Sequence, residues 1–330
     1  MAGLKLREKV TRFLKEHPEE KFTAREIATW LFETYPEACR AKKERSDTLN
    51  SDDELLTQIV AEIGAIRPDI QKKTPQVKTT EERPRKYYFT SKTDAQEVED
   101  VEQLGVSGAA AEDHGGTPDV EPSYTQGGKK KLLEYELYPM LSQYLWTEFG
   151  IYSRRIDEKR AANRRGPNGN KWLYPDLVAM EDLSAEWHRE VKSCVNQYSD
   201  KQTKLWSFEV KLLLNRSNVR ECFFQSVSNS SWGNYGYLVA AEVEGAETLK
   251  ELRMLSAAHG VGLIHLNTGN PAESQILVPA HERTEIDWDT ANRLATENKD
   301  FLHYIKVVRQ FYQTGDPRPL EWDLPESELD

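Results

Sequence analysis

Between Thr93 and Gly128 the chain runs for 36 residues without a Lys or Arg, carrying nine acidic groups and few large apolar side chains. Such a stretch repels itself and cannot bury enough surface to offset the entropy of ordering, so 93–128 reads as an acidic flexible linker. Folded structure must then be built separately on its two sides, over residues 1–92 and 129–315, with a short acidic tail at 316–330. The length of 330 residues suits two domains of ordinary size.

The same feature accounts for the charge. The formal net charge is −11, yet residues 1–92 hold 19 basic against 16 acidic groups and residues 129–313 hold 24 of each. The acidity lies in the linker and tail, so local basic surface able to track phosphates is not excluded. No apolar run reaches the ~20 residues a membrane helix needs, and the opening MAGLKLREKV lacks the apolar core of a signal peptide. Cys39, Cys194 and Cys222 are too few and too scattered for a disulfide framework or a CxxC zinc site, and the seven His show no metal spacing. A cytoplasmic protein with no membrane partner is expected.

In the first region, Leu6, Val10, Phe13 and Leu14 recur at helical spacing. Phe22-Thr23 is short and extended. Thr23 stands three residues before Glu26, the capping-box spacing, and opens a second helix through Ile27, Trp30 and Leu31. Ser51 caps a third helix that carries Leu55, Ile59 and Ile63 and is expected to stop at Pro68. Extended pieces around Ile70 and over Lys86–Thr90 then form a hairpin with a polar loop. Three helices followed by a basic hairpin describe a winged helix. The third helix opens SDDELL, which sets carboxylates against any phosphate, so DNA contact is expected elsewhere. The candidates are Lys42, Lys43 and Arg45 before that helix, and Lys72, Lys73, Lys78, Arg83 and Arg85 in the wing. A protein-binding winged helix with a merely solvated loop is the competing reading.

The second region alternates strands with helices, which makes it α/β. Helical pattern covers Lys131–Phe149, Val219–Ser230, Glu247–His259 and Asp289–Tyr312; the apolar runs Pro175–Glu181 and Leu205–Leu214 read as buried strands, and Ile151–Ile156, Tyr235–Glu242 and Val261–Leu266 as strands too, with a further short one at Ile276–Val278. Within Leu205–Leu214, Glu209 and Lys211 flank Val210, and residues two apart share a strand face. Two charges on one face of an apolar strand are costly without partners. Asp176, at the start of the Pro175–Glu181 strand, would supply one. Asp176, Glu209 and the Val210 carbonyl then form an oxygen-rich pocket suited to Mg²⁺ or Mn²⁺, with Lys211 beside it. A structural ion pair at the sheet edge is the plainer alternative. A second Glu-Val-Lys, at 190–192, is set aside because its surroundings are polar and lack a buried-strand run. The connection 181–204 is accordingly long and reads as an inserted hairpin or helix. Arg154, Arg155, Arg164 and Arg165 cluster around a Gly/Pro/Asn loop ahead of the candidate strand and are candidates for phosphate tracking.

Pro175-Asp176 followed by Glu209-Val210-Lys211 resembles the PD-(D/E)XK nuclease superfamily, over roughly Leu132–Leu266. The run SFEVK…NVRECFFQSVSNSSWGNYGYLV resembles restriction-type members that also carry an N-terminal winged helix of the HARE type. The resemblance implies a mixed central sheet flanked by helices, and Mg²⁺-dependent hydrolysis of double-stranded DNA by a restriction or defence endonuclease. It further implies an acid on the preceding helix, Glu134 or Glu136, and a polar residue on the following one, Gln225. The winged helix would select DNA, including cytosine-modified DNA. Cutting both strands needs two active sites, so a homodimer, at least on DNA, is expected. A DNA-binding regulator with an inactive nuclease fold and a structure-specific repair nuclease are the competing readings.

Overall fold

The computed structural model describes residues 4–44, 49, 51–109, 132–157, 160–161, 173–197 and 201–325. Arg45, Arg164 and Arg165 lie outside the described residues. The chain divides into two compact units, one of residues 1–97 with 243–249, the other of 98–242 with 250–330.

The first unit begins with α1 (Leu6–Glu16), β1 (Phe22–Thr23) and α2 (Ala24–Thr34). The Thr23 hydroxyl and the Glu26 carboxylate exchange hydrogen bonds with each other's backbone N–H, completing the expected capping box. Such a cap stabilises a helix by about 1 kcal/mol. The polar segment that follows is not open chain. Pro36–Glu44 forms α3, pinned by the fully buried Cys39. Ser51 and Glu54 make a second capping box at the start of α4 (Asp52–Lys73). This helix continues through Pro68 rather than ending there. Proline removes one backbone donor, whereas Ile70, buried with Leu55, Ile59 and Ile63 in the unit's core, anchors the last turn. The hairpin strand therefore falls later than expected, at β2 (Val77–Thr79), which pairs with β3 (Lys86–Phe89). The antiparallel sheet has the order β1-β3-β2. Four helices and a three-stranded sheet thus replace the expected three helices and hairpin.

The Lys-free stretch is not wholly linker. Thr93 and Gln96 cap α5 (Asp94–Ala109), and Val98 is buried. Local capping and the burial of Val98 order this half despite its charge; residues 110–128 lie outside the described residues.

The second unit is built on a six-stranded mixed sheet of order β4-β5-β6-β7-β8-β9. Its strands are Tyr152–Arg155, Leu177–Asp182, Thr203–Leu214, Tyr235–Val243, Gly262–His265 and Gln275–Val278 in that order. β4, β5 and β6 run antiparallel, β7 and β8 parallel, and β9 antiparallel to β8. Helices cover both faces. On one, Leu137, Leu141 and Leu145 of α6 (Glu134–Phe149) pack against Leu177, Ala179, Phe208 and Val210. On the other, α10 (Trp288–Glu297) and α11 (Lys299–Thr314) pack against Val178, Met180, Leu205 and the fully buried Trp232. The alternation along β5 and β6 follows from the two-residue period of a strand. Pro139 sits inside α6, and the inserted connection is a helix, α7 (Arg189–Gln197). α8 (Val219–Ser230) and, from residue 250 onward, α9 (Ala246–His259) complete the unit.

The expected acidic tail starts too early. Trp322 and Leu324 are buried in the same core as α10 and α11, and Asp323 accepts a hydrogen bond from the Arg155 N–H at 2.7 Å. Two apolar residues outweigh the surrounding acids, so residues 316–324 belong to the α/β unit.

Candidate active site

The antiparallel pairing sets Leu177 opposite Phe208, and one further step along that register brings Asp176 opposite Glu209. The register is held by Asp176 N–H donating to Phe208 O at 3.0 Å and Ile156 N–H donating to Asp176 O at 2.9 Å. The Asp176 carboxylate accepts from the Val210 N–H at 2.7 Å. The first carboxylate and the Glu-Val-Lys strand are therefore fastened together by the backbone.

Lys211 Nζ donates to Glu209 Oε1 at 2.7 Å and to the Val210 carbonyl at 3.0 Å, and stands 3.9 Å from Glu134 Oε2. Glu209 is 1% exposed, and its second oxygen accepts from Asn229 Nδ2 at 2.9 Å. Asn229 also donates to Tyr174 O, which ties α8 to the chain just before Asp176. Glu134 accepts from the Tyr138 hydroxyl at 3.1 Å, and the Arg155 guanidinium lies 4.8 Å from the Tyr138 ring centre. Val210 itself turns into the apolar layer, so only its backbone faces the site.

The electrostatics follow from burial and from these partners. Burial alone would lower the Lys211 pKa, but Glu209, Glu134 and Asp176 hold it well above the ordinary lysine value. Burial pushes Glu209 up against the pull of Lys211 and Asn229. The 2.7 Å contact and the Asn229 donor on the other oxygen hold the two as a charged pair. Burial raises Glu134 to about 7, with Lys211 opposing and Asp176 reinforcing the shift. Burial likewise pushes the nearby Cys222 thiol up to about 12, leaving it a thiol at neutral pH.

Asp176, Glu209, Lys211 and Glu134 are thus brought together. Glu136 is not with them, because its carboxylate accepts from the Leu133 N–H and caps α6. Gln225 is buried on α8, one turn before Asn229, and Asn229 makes the contact to Glu209. Asn229 and Tyr138 were missed by sequence reasoning. The signal for both is helical spacing: Asn229 follows Gln225, and Tyr138 follows Glu134, by four residues. The alternative Glu190-Val191-Lys192 lies on α7 with Val191 exposed, so no strand presents it.

The candidate DNA contacts are dispersed. Lys42 pairs with Glu62 at 2.7 Å and Lys43 with Asp52 at 2.9 Å. Arg85 pairs with buried Glu81 at 2.8 Å. Lys72 and Lys73 stand exposed in the last turn of α4 rather than in the wing, and Arg83 is exposed in the hairpin loop. Arg154 turns back to donate to Glu321 O at 2.6 Å, whereas Arg155 is exposed.

Lys78 is largely buried in the first unit, donating to Asp94 at 2.5 Å and to Glu97, with Glu244 at 3.5 Å. Asp94, Glu97 and Glu244 are also the three-carboxylate group, among the described residues, whose oxygens lie within 4.8 Å of one another, close enough to hold a metal ion. An ammonium already stands among them. The Asp176 site has a different donor set: two carboxylates and a carbonyl on adjacent strands, all hard oxygens of the kind Mg²⁺ takes, with a lysine cation already bound to two of them. The set fits a divalent ion. No described helix is long and apolar enough to cross a membrane. Compared with protein-family models, curated proteins and solved structures, the chain matches none.

Proposed function

We propose that the chain is a metal-dependent DNA endonuclease of restriction or defence type, in which the second unit hydrolyses the phosphodiester and the first selects the DNA. The observation that carries this reading is Asp176 opposite Glu209 on neighbouring strands, with Lys211 bound to Glu209 and its Nζ 3.9 Å from Glu134. Asp176, Glu209 and the Val210 carbonyl would hold Mg²⁺ or Mn²⁺. Such an ion lowers the pKa of water and offsets charge building on a phosphate.

The side chains around it have separate tasks. Lys211 Nζ stays protonated, so it orients water or a phosphate oxygen by donation rather than acting as a base. Glu134, poised near neutrality, accepts a proton from that water. Tyr138 fixes the Glu134 carboxyl by donating to Oε1, and Asn229 fixes Glu209. Arg155, exposed beside Tyr138, supplies positive charge to an approaching backbone. A homodimer on DNA would place two such sites on opposite strands.

The test is plasmid cleavage with Mg²⁺ on unmodified DNA and on DNA carrying methylated or hydroxymethylated cytosine, with Lys211→Ala as control. Cleavage that the variant loses is the expected result, and a preference for one DNA assigns selection to the first unit. Binding without cleavage of any substrate would replace this reading with that of a DNA-binding regulator.

A further inference from the structure

Among the described candidates of the wing and of the segment before α4, Lys42, Lys43, Lys78 and Arg85 are all in ion pairs, and Arg83 is exposed. A groove of about 420 Å³ lies elsewhere on this unit, between α1 and the last turn of α4. Arg7, Arg12, Lys15 and Lys73 line it, with Glu8 as the one acid; Thr11 and Thr74 add hydroxyls, and Ile70 lies between them. We propose that this groove is the surface on which the first unit holds the phosphate backbone of duplex DNA. The proposal deepens the reading above, and rests on it in assigning DNA selection to the first unit.

Three features support it. First, among the described residues no carboxylate lies within ion-pair distance of Lys15 or Lys73. Arg12 pairs with exposed Glu16 at 3.3 Å and also donates to the Tyr35 hydroxyl at 2.5 Å, and the carboxylate near Arg7 is exposed Asp69 at 3.8 Å. Exposed pairs of this kind contribute little and yield readily to a phosphate. Second, the spacing suits a strand. Arg7 and Lys15 are eight residues apart on one helix, ~12 Å of axial rise, which matches the rise of three to four nucleotides at ~3.4 Å each. A lysine at the α4 C-terminus also favours that helix dipole, but this does not account for three cations along α1. Third, the apolar side chains of α1 pack on the unit's core: Val10, Phe13 and Leu14 are buried in it and Leu6 is partly buried against it. A bilayer-binding helix would keep such residues for the membrane, so a polyanion without an apolar phase is the better match.

The experiment is fluorescence anisotropy of the full chain with a labelled 25-base-pair duplex, without divalent ions, across 50–300 mM salt. Lys15→Ala/Lys73→Ala should weaken binding at least tenfold at 100 mM salt and make the log–log salt slope shallower by about 1.8, which is about 0.9 per phosphate contact. Lys15→Arg/Lys73→Arg should restore both, and an unchanged far-UV melting curve shows that both variants are folded. An unchanged slope in the alanine variant would overturn the proposal, as would loss of affinity for double-stranded RNA alone. Plasmid cleavage by the wild-type chain keeps the two readings apart. A responsive slope without cleavage upholds the groove and removes the nuclease, whereas cleavage with an unresponsive slope does the reverse.

Discussion

Two lysines in this molecule each stand among three carboxylates. Lys211 meets Glu209, Glu134 and Asp176; Lys78 meets Asp94, Glu97 and Glu244. The residue types are nearly the same, and the difference lies in what each carboxylate is fastened to. At Lys78 the ammonium donates to Asp94 and Glu97, both in the first turn of α5, and Glu244 stands close behind. Three N–H donors face three carboxylates, so the buried ammonium has a partner for each donor, which is how a buried lysine is made tolerable. At Lys211 one donor goes to Glu209 and another to a backbone carbonyl, while Asp176 is held by the Val210 N–H and Glu134 stays at 3.9 Å. Asp176 and Glu209 are set there by strand register and by Asn229, and Glu134 by Tyr138, so they hold their positions without the lysine. A carboxylate cluster closed by its own lysine is a structural tie. One arranged by backbone keeps its geometry independently of the lysine.

The sharpest way to break this comparison is Asp176→Asn. The amide keeps an oxygen to accept from Val210 N–H, so the fold should stand, while one charge of the donor set is lost. Cleavage should fall at least ~1,000-fold, the scale of several kcal/mol that a metal ion contributes to phosphoryl chemistry. Retained cleavage would place the chemistry elsewhere.

The structural tie is tested by Lys78→Met. Three carboxylates would then face each other without a cation, and unfolding in urea should show a loss of about 3 kcal/mol. This is the low end for a broken buried pair, because Glu244, already raised to about 7 by burial, takes up a proton. A loss below about 1 kcal/mol would mean that the cluster is solvated and weak.

Much of the second unit was legible in its sequence, and for one reason. Strand residues such as Phe208, Val210 and Leu213 are buried in a sheet covered on both faces, and such strands read as continuous apolar runs. The pairing of Asp176 with Glu209 followed from the same runs. What could not be read was tertiary in origin. Pro68 looked like a helix stop because proline lacks a donor, yet burial of Ile70 carries α4 onward. Lys78 looked like wing charge until its three acids, two of them from the supposed linker, were placed around it. Asn229 acts through a helix packed across β6, and nothing local to Glu209 reveals it.

A smaller effect separates the two clusters by what they bind. At 100 times the dissociation constant a ligand specific to the folded state stabilises it by about 2.7 kcal/mol. Mn²⁺ should therefore raise the melting temperature of the wild-type chain and of Glu244→Gln, but not of Asp176→Ala. A shift lost in Glu244→Gln and kept in Asp176→Ala would move the ion to the Asp94, Glu97 and Glu244 group.

The smallest expected effect is on the pH dependence of stability. Burial holds the Glu244 carboxyl near 7 in the folded chain, against an ordinary value of 4.5. The folded state then binds a proton that the unfolded state has released, so stability falls as pH rises between these two values and levels off above about 7. The slope cannot exceed about 1.4 kcal/mol per pH unit for one group. Glu134, also raised to about 7, contributes with the same sign. Urea midpoints measured from pH 5 to pH 8 should decline in the wild-type chain, decline less in Glu244→Gln, and flatten further in Glu134→Gln/Glu244→Gln. If Glu244→Gln keeps the wild-type slope and Glu134→Gln removes it, the strain lies wholly at the Asp176 site, and the Lys78 cluster is even better neutralised than its geometry implies.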